Sequence, residues 1–423
     1  MKLVELAYGR SGLSVEVSQE ADVIEPRYVA GLADEAGAIR DALRSPTAGL
    51  PLAERLSRGT SVGISVCDVT RPFPGRRVLP VLVEELQSHG AGRITIFVAT
   101  GTHRACTPAE LDQMLGPDVQ RLCPVIQHDA FDASRHRRVG TVLGTQTPAL
   151  VETAFLDQDV RITTGFIEPH FFAGFSGGPK MVAPGLAAIE TVLDLHSAAR
   201  IADANATWGV TVGNPVHDAV RAIATQVGVS FNLDVTLNRE HAITNIFSGD
   251  LFASHAAGCV YARTTAMAAV GGAYDVVLTS NSGYPLDQNL YQSVKGMSAA
   301  AQIVKPGGSI IIASECSDGL PAHGGYKDLL RQGGDPDLFL ERLFAPDFAV
   351  HDQWQVQVQA QIQRKARVFV KADGLTAQQV RGAWFEPVGD VGECVRKRLA
   401  AAGPPGRLAV LPQGPQTIPY ISE

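Results

Sequence analysis

The stretch SVGISVCDVTRP (61–72) opens a strand–helix–strand pattern, which RITIFVATGTHR (93–104) continues. Each stretch begins with an apolar, β-branched run, and a helical pattern near 76–89 separates the two runs. Another helix is predicted after the second run, because Thr107 is a suitable N-cap, a proline follows it, and Glu110 completes a capping box. Short buried strands that alternate with helices are typical of parallel α/β architecture.

The same alternation continues to the end of the chain. Further strand candidates are VRITTGF (160–166), DVVLTSN (275–281), SIIIAS (309–314), ARVFVK (366–371) and RLAVLP (407–412). An Ala/Gly-rich stretch at 263–274 precedes a new strand and indicates a domain boundary. We therefore predict two α/β domains with largely parallel sheets, residues 1–265 and 266–423, and an active-site cleft between them.

The composition argues against several classes of protein. The 423 residues include 36 Lys and Arg against 43 Asp and Glu, a formal charge of −7, and 45% are hydrophobic. These values argue against disorder, and the acidic balance makes nucleic acid or an anionic membrane a poor partner. The basic run RHRR (135–138) is interpreted as a solvated loop. No apolar stretch reaches the ~18–20 residues of a membrane span, and six scattered cysteines are typical of reduced thiols, so we expect a cytoplasmic protein.

Polar and glycine-rich clusters follow four of the predicted strands. Ligands of parallel α/β sheets gather just beyond the carboxyl ends of strands, so these clusters are candidate site segments. They are DVTRP (68–72), GTHR (101–104), EPHFFAGFSGGPK (168–180) and NSGYPLDQ (281–288).

Two of these clusters contain side chains suited to binding and proton transfer. Asp68 and Arg71 would suit a nucleotide-like ligand, although a local Asp–Arg pair that stabilises the turn explains them equally well. A single loop histidine is more often structural than catalytic. His103 and His170, however, follow strands at matching positions, and such a pair can act as base and acid on opposite faces of a small substrate.

The third cluster ends in the turn SGGPK (176–180). Consecutive backbone N–H groups in such a turn can form an anion-binding concavity, although a tight turn with a surface lysine has the same sequence pattern. The turn is not a Walker A loop, and the sequence contains no G-x-G-x-x-G fingerprint. Further on, His196 continues the apolar stripe of a helical pattern. A buried imidazole is hydrogen-bonded or bound to a metal, and a hydrogen-bonded core histidine is the commoner case.

The fourth cluster continues into PLDQNLYQSVKGM (285–297), with Tyr291 in its middle. A Gln and a Lys one helical turn apart could hold a carboxylate, and a solvent-facing polar surface is the alternative. Trp354 in HDQW is either a packing residue or a pocket wall. Three polar side chains are predicted to share one helix face: Gln288, Gln292 and Lys295.

Taken in order, these motifs resemble the nickel-pincer-nucleotide-dependent lactate racemase family, which comprises racemases and epimerases of 2-hydroxy acids. The ordered series is YG (8–9), DVTRP, ATGTHR, EPHFFAGFSGGPK, a histidine sixteen residues after that lysine, GYPLDQNLYQSVK and HDQW. No single motif is decisive, but the series covers nearly the whole chain with the family's spacing.

The resemblance implies a nickel cofactor, the Ni(II)-pyridinium-3,5-bisthiocarboxylic acid mononucleotide, or nickel-pincer nucleotide. Lys180 matches the lysine that bonds the cofactor, His196 matches the protein ligand to nickel, and His103 and His170 match the acid/base pair. The residues that match the cofactor-binding segments are Asp68, Val69, Thr70, Arg71, Ser176, Gly177 and Gly178. Those that match the substrate pocket are Gln292, Lys295, Tyr291 and Trp354.

The implied reaction inverts C2 of lactate or a related 2-hydroxy acid by hydride transfer to and from the cofactor. A histidine of near-neutral pKa is too weak a base to remove a C2 proton beside a carboxylate, whereas loss of hydride together with the hydroxyl proton gives a planar 2-keto acid. No side chain accepts a hydride, so a cofactor must do so. Each histidine would serve one enantiomer, while Lys295 and Gln292 hold the carboxylate.

Under this hypothesis the domain over residues 1–265 carries the cofactor and acid/base residues, and the domain over 266–423 carries the substrate-binding helix. The motifs leave open a longer hydroxy acid, and thus an epimerase. More distant alternatives are an NAD-dependent 2-hydroxy-acid dehydrogenase and a non-catalytic nickel or nucleotide carrier. The resemblance also implies maturation partners that carboxylate the cofactor precursor, insert sulfur and insert nickel.

Overall fold

Strands and helices alternate along the chain in the structure, a computed structural model that describes residues 1–321, 324–345 and 348–422. The strands of these residues are β1 (Lys2–Leu6), β2 (Leu13–Val17), β3 (Asp22–Val23), β4 (Val62–Cys67), β5 (Ile94–Ala99), β6 (Val125–Gln127), β7 (His136–Thr141), β8 (Pro148–Glu152), β9 (Val160–Phe166), β10 (Pro169–His170), β11 (Gly174–Phe175), β12 (Phe231–Leu237), β13 (Ile243–Gly249), β14 (Met267–Val270), β15 (Tyr274–Ser280), β16 (Val304–Ala313), β17 (Arg367–Lys371), β18 (Glu386–Pro387), β19 (Leu408–Leu411) and β20 (Ile418–Ile421).

The α-helices lie mostly between these strands. They are α1 (Glu35–Arg44), α2 (Gly75–Ser88), α3 (Pro108–Leu115), α4 (Pro117–Leu122), α5 (Thr153–Leu156), α6 (Ile189–Leu195), α7 (Ala198–Ala202), α8 (Pro215–Val227), α9 (Leu251–Ala266), α10 (Leu290–Ala301), α11 (Tyr326–Gly333), α12 (Pro336–Leu343), α13 (Gln353–Lys365), α14 (Ala377–Gly382) and α15 (Val391–Ala402).

The chain folds into two units, neither of which is one continuous segment. The N-terminal unit comprises Tyr28–His196 and Asp203–Thr265. The C-terminal unit comprises Met1–Arg27, Ser197–Ala202 and the chain from Ala266 onward.

The units therefore differ from the predicted limits, 1–265 and 266–423, in the placement of two segments. The first 27 residues belong to the C-terminal unit, where β3 pairs in parallel with β19. Ser197–Ala202 belongs to it too, and there Gln357 of α13 donates a hydrogen bond to the Ala198 carbonyl. Neither association leaves a signal in the local sequence.

The N-terminal unit is built on a sheet of strand order β13-β12-β9-β4-β5-β6. The pairs from β12 to β6 are parallel, and β13 is antiparallel to β12. Central strand β4 is buried along its whole length, as a strand covered on both faces must be. Helix α2 turns Val78, Leu82 and Leu86 toward the same core as Ile64 and Ile96.

The C-terminal unit has a second sheet, of order β18-β17-β16-β15-β19-β3, whose pairs in the described residues are parallel. Its core includes Leu278 of β15, Ile311 of β16 and Val410 of β19. The β1–β2 hairpin and α15 cover this core with apolar side chains such as Leu6 and Val395.

The predicted α/β class with largely parallel sheets is confirmed. The sequence runs at 61–66 and 93–100 form β4 and β5, and α2 lies between them. The capping box before α3 is also present, with the Thr107 side chain accepting from Glu110 N–H and the Glu110 side chain accepting from Thr107 N–H. None of the helices in the described part of the chain is long and apolar enough to cross a membrane.

Two local interpretations were wrong. RHRR (135–138) is not a solvated loop, since residues from His136 onward form β7 and pair with β8. Arg137 and Arg138 are both exposed in β7, so a basic run can be solvated and still be part of a two-stranded hairpin. Gln288 is not on the predicted helix face either, because Asn289 is the N-cap of α10.

We expect Ile96→Ala to destabilise the protein because Ile96 is fully buried in β5. Removing its outer carbons leaves a cavity beneath α2, which costs about 2–5 kcal/mol of unfolding free energy. Urea unfolding followed by circular dichroism measures the loss. Val212→Ala is the control, because Val212 is 90% exposed and should change the unfolding free energy by less than about 0.5 kcal/mol. Equal effects of the two substitutions would contradict the assigned core.

Candidate active site

The carboxyl ends of three adjacent parallel strands, β9, β4 and β5, meet at one edge of the N-terminal sheet. Hydrogen bonds join the segments that follow them. Ser65 Oγ in β4 donates to the Met181 carbonyl at 2.7 Å, and Gly101 N–H after β5 donates to the Gly185 carbonyl at 3.0 Å. The segment that follows β9 and contains Lys180 is thereby tied to both neighbouring strands.

Asp68 and His103 form a close pair at this edge. Asp68 Oδ2 lies 2.7 Å from His103 Nδ1, and Asp68 Oδ1 accepts from the Thr70 hydroxyl at 2.6 Å. Burial opposes ionisation of Asp68, but His103, Arg71 and the Thr70 hydrogen bond lower the pKa of its carboxyl below the ordinary value. The ionised carboxylate accepts from Nδ1–H of His103, so Nε2 of the neutral ring carries the lone pair.

The other predicted residues of the DVTRP cluster surround this pair. Arg71 Nη1 donates to the carbonyl and the hydroxyl of Thr70, and Arg71 N–H donates to the Asp68 carbonyl at 3.2 Å, so Arg71 stabilises the turn. Val69 is partly buried and packs against the strand–helix core. The local Asp–Arg pair considered from the sequence is thus replaced by an Asp–His pair, since the partner lies 35 residues away.

The Phe172 ring gathers three of the predicted functional side chains. The ring centroids of His170 and His196 lie 4.6 and 5.2 Å from that of Phe172, both edge-to-face. Lys180 Nζ lies 5.9 Å from the same centroid. Residues separated by up to 26 positions in sequence are therefore neighbours, and the cluster contains two imidazoles and one amine around an aromatic face.

Hydrogen bonds fix the tautomers of the two imidazoles in this cluster. His196 Nδ1 lies 2.8 Å from the Val192 carbonyl, which can only accept, so Nδ1 carries a proton and Nε2 of the neutral ring carries the lone pair. His170 Nδ1 accepts from Ala173 N–H at 3.3 Å, so the proton of the neutral ring lies on Nε2. The two rings thus present opposite hydrogen-bonding character at Nε2.

The SGGPK turn is held by bonds within the protein. Ser176 N–H donates to the Glu168 carbonyl and Ser176 Oγ to the Phe166 carbonyl, while Lys180 N–H donates to the Gly177 carbonyl. The predicted concavity of outward N–H groups is therefore wrong for these donors. The turn positions Lys180; it does not present a row of backbone donors.

Two buried side chains that sequence reasoning missed hold this turn from behind. The Asp234 carboxylate accepts from Gly178 N–H at 3.0 Å, and His255 Nε2 donates to the Ser176 carbonyl at 2.9 Å. Gly178 has φ +50°, and a Cβ there would lie 2.5 Å from the His255 ring, so glycine is required. The available signal was a carboxylate in the middle of the apolar strand FNLDVTL and a histidine in the small-residue helix LFASHAAG.

Burial controls the charge of these groups. It raises the pKa of Asp234 to about 7, although hydrogen bonds from Asn232 and Gly178 oppose the rise. It lowers the pKa of His255 to about 4 and that of His217 to about 3, and the positive charge of Lys180 lowers both further. Near neutral pH both histidines are therefore uncharged, and the positive charges that act on them are those of Arg221 and Lys180.

Two protein-family models match most of the chain. The lactate racemase N-terminal domain matches residues 8–209, and the lactate racemase C-terminal domain matches residues 271–418. The chain belongs to the lactate racemase family. The lactate racemase of Thermoanaerobacterium thermosaccharolyticum is 32% identical over 426 aligned positions, covering 99% of each chain. That of Lactiplantibacillus plantarum is 33% identical and covers 85% of each chain.

Solved structures extend the likeness to three dimensions. The lactate racemase apoprotein from T. thermosaccharolyticum superposes with a TM-score of 0.93 at 30% identity, covering 100% of both chains. A Thermotoga maritima protein has a TM-score of 0.72 at 19% identity, covering 93% of this chain and 100% of its own, and shares the fold. As a lactate racemase family member the chain is an isomerase, which leaves the dehydrogenase and carrier alternatives without support.

In this lactate racemase family member, the C-terminal unit contains the residues that were predicted to bind the substrate. Trp354 is buried in α13 and donates from Nε1 to the Tyr291 hydroxyl at 3.3 Å, so it is a packing partner of Tyr291. Gln292 and Lys295 lie one turn apart on α10, and Gln292 Oε1 is buried without a hydrogen-bond partner in the described residues. These four residues form a second cluster, which belongs to a different unit from the Phe172 cluster.

The buried Asp234 predicts an unusual pH dependence of stability. Its folded-state pKa is raised from 3.8 to about 7. At pH values between these two, the folded protein therefore keeps a proton that the unfolded chain has already released. The stabilisation is complete below about pH 4 and is lost as the pH rises through 7. Relative to Asp234→Asn, which has no such proton, wild-type unfolding free energy should fall by about 2–3 kcal/mol from pH 5 to pH 8.

Urea unfolding of both proteins at each pH measures this difference. Glu190→Gln is the control, because Glu190 is exposed and its removal should leave the pH profile of the wild type unchanged. Parallel profiles for wild type and Asp234→Asn would show that the carboxyl ionises normally.

Proposed function

We propose that this chain inverts C2 of lactate or a closely related small 2-hydroxy acid, with a nickel-pincer nucleotide as cofactor. The observation that carries the proposal is the grouping of His170, His196 and Lys180 around the Phe172 ring. The Asp68–His103 pair at the end of the neighbouring strand adds a second acid/base group. The lactate racemases of the two bacterial relatives support lactate as the first substrate to test.

His196 fits the role of a nickel ligand. A ligating histidine commonly donates its other ring N–H to a carbonyl, which fixes the tautomer and orients the ring. His196 does so through Nδ1 to Val192, so Nε2 would bind the metal. Imidazole nitrogen is a good donor for nickel, and sulfur atoms of the nucleotide would supply softer ones.

Lys180 fits the role of the covalent attachment residue. It is the sole lysine between Lys2 and Lys295, and the other strong cations of that long stretch are arginines. Only a lysine amine can form the amide-type bond that attachment needs, because a guanidinium stays protonated and is a poor nucleophile. The turn fixed by Asp234 and His255 would hold that amine in one place.

When bound, the nucleotide would supply the hydride acceptor and donor that no side chain provides. His103 would take the substrate hydroxyl proton at Nε2, since Asp68 holds Nδ1–H and stabilises the resulting imidazolium. His170 would enter the reaction as the imidazolium and return a proton from Nε2 on the opposite face, which requires its 3.3 Å hydrogen bond from Ala173 N–H to Nδ1 to open. In the reverse reaction the two histidines exchange these roles.

The second cluster, which lies in the C-terminal unit, would bind the substrate carboxylate. Lys295 supplies positive charge, and Gln292, one turn away on α10, would donate a hydrogen bond to the carboxylate from its side-chain amide nitrogen. If the carboxylate is held while the 2-keto intermediate rotates, only the groups around C2 change their orientation. We further propose that carboxylating, sulfur-inserting and nickel-inserting proteins load the cofactor before catalysis.

Lys180→Arg should abolish cofactor attachment while it preserves the positive charge. Intact-mass spectrometry and nickel analysis of protein co-expressed with the maturation proteins measure attachment. Wild type should carry an adduct of nucleotide size and about one nickel, by the proposed one-to-one stoichiometry. Lys180→Arg should carry neither, and His196→Ala should lose nickel while it retains the organic part.

Lys327→Arg is the matched control, because Lys327 is an exposed lysine of α11 and should leave attachment intact. An adduct that persists in Lys180→Arg would exclude Lys180 as the attachment site. An unmodified wild-type chain from cells proven to make the cofactor would exclude the cofactor itself.

His103→Gln should lower the turnover number for L-lactate to D-lactate conversion by about 10²–10⁴-fold, because it removes the proton acceptor. Chiral chromatography of the product measures the rate, and adduct mass and nickel content should stay at wild-type values. His89→Gln, which alters an exposed histidine of the same unit, is the control and should retain full activity. Wild-type turnover in His103→Gln would remove this residue from the mechanism.

A further inference from the structure

Three further potential metal ligands lie together in the N-terminal unit, and the proposed reaction does not use them. His128 follows β6, His136 opens β7, and Glu152 ends β8. His136 and Glu152 are directly opposite each other in the antiparallel β7–β8 hairpin. One potential ligand atom from each of the three residues lies within 4.8 Å of the others.

The hydrogen bonds of the two histidines direct lone pairs into this cluster. His128 Nε2 lies 3.1 Å from the Ala187 carbonyl and must donate to it, so Nδ1 of the neutral ring carries the lone pair. His136 Nδ1 likewise donates to the Asp132 carbonyl at 2.9 Å, which leaves the lone pair on Nε2. Donation from the distal ring nitrogen to a backbone carbonyl is the usual second-shell arrangement of metal-binding histidines.

Neither lone pair has a hydrogen-bond donor in the described residues. His128 Nδ1 lies 3.3 Å from a Glu152 carboxylate oxygen, which is also an acceptor. His136 Nε2 is buried and has no hydrogen-bond partner in the described residues. Two acceptor nitrogens beside a carboxylate repel one another unless a cation lies between them.

Glu152 is ionised and well placed to be the third ligand. Burial opposes its ionisation, but the Arg135 guanidinium beside it lowers the pKa of its carboxyl. Arg135 Nη2 lies 2.9 Å from Oε2, so Arg135 partly neutralises the carboxylate but does not reach the lone pairs of the histidines. A carboxylate has enough lone pairs to bind Arg135 and a metal ion at the same time.

We propose that His128 Nδ1, His136 Nε2 and the Glu152 carboxylate bind a divalent transition-metal ion of the zinc type, which fastens the β7–β8 hairpin to the end of β6. Two imidazoles and one carboxylate are a zinc-type donor set, whereas magnesium and calcium prefer oxygen ligands alone. The site is separate from His196 and does not depend on the proposed nickel cofactor.

Small movements complete the coordination geometry. Ligand atoms about 2.1 Å from a tetrahedral ion lie about 3.4 Å apart, so the most distant pair must close by roughly 1 Å. His136 is partly exposed and can make this movement by side-chain rotation, while His128 and Glu152 stay buried. Three protein ligands leave a fourth position for water.

A proton is the competing occupant. Protonated His128 would pair with Glu152 through Nδ1–H and would need no metal. In that arrangement His136 Nε2 stays buried and has no hydrogen-bond partner in the described residues. A bound metal ion would give this nitrogen a partner. Zinc binding that depends on His136 therefore distinguishes the two occupants.

Zinc binding is best measured on the full-length His196→Ala protein, chelator-treated and produced without the maturation proteins, so that neither nickel nor nucleotide contributes. Equilibrium dialysis against zinc sulfate should give about one zinc per chain, and adding His136→Gln should weaken binding at least tenfold. Adding His89→Gln instead should leave the affinity unchanged, because this exposed histidine lies outside the cluster.

Thermal unfolding and X-ray absorption give readouts that are independent of activity. Zinc at a hundredfold excess over its dissociation constant should raise the Tm of the His196→Ala protein by roughly 5–10 °C, a rise that His136→Gln abolishes. The zinc K-edge spectrum should show two imidazoles and oxygen ligands at about 2.0–2.2 Å. Absence of saturable binding below about 100 μM zinc, equal binding by His136→Gln, or a spectrum without imidazoles would each overturn the proposal.

Discussion

The hydrogen bond from Gly178 N–H to the buried Asp234 carboxylate is the constraint on which the N-terminal site depends. It joins the turn that carries Lys180 to β12, the next strand of the sheet after β9. Asn232 supports the same carboxylate with its side-chain amide and is itself bonded by Thr163. Because every member of this chain of bonds is buried, loss of one leaves the others unsatisfied, and the turn would lose its fixed position.

Burial also controls the charge of the two histidines behind the turn. His217 and His255 stack at a centroid distance of 6.0 Å behind the turn, and burial keeps both uncharged near neutral pH. On the other side, Phe172 presents an aromatic face to Lys180 and its edges to two imidazoles. The two histidines behind the turn thus add no positive charge to that of Lys180 near neutral pH.

Much of the fold was predictable because its strands are continuous β-branched runs and its helices have recognisable caps. The runs that became β4, β5, β9, β15 and β19 needed no tertiary information. Strands β12 and β13 were not predicted, since FNLDVTL and ITNIFSG interrupt their apolar pattern with polar residues. Among them, Thr236 and Thr244 are buried and their hydroxyls are hydrogen-bonded to each other across the sheet, a property that only the folded neighbours reveal.

The candidate site was predictable as a set of positions but not as a set of contacts. Strand ends identified the segments of Asp68, His103, His170 and Lys180, since parallel strands bring these ends to one edge. The partners that orient them lie far along the chain: Asp234 is 56 residues from Gly178, and His255 is 79 from Ser176. Local sequence likewise misassigned RHRR, because the hairpin partner of His136 is Glu152 in another strand.

The pairing of β3 with β19 affects the order in which the chain can fold during synthesis. Val23 leaves the ribosome about 385 residues before its partner segment, which at about 5–20 residues per second is a delay of roughly 20–80 s. Meanwhile the N-terminal unit is complete once Thr265 has emerged, and it can fold first. The first 27 residues then carry unpaired strand edges through most of translation, which makes them natural ligands for chaperones that bind nascent chains.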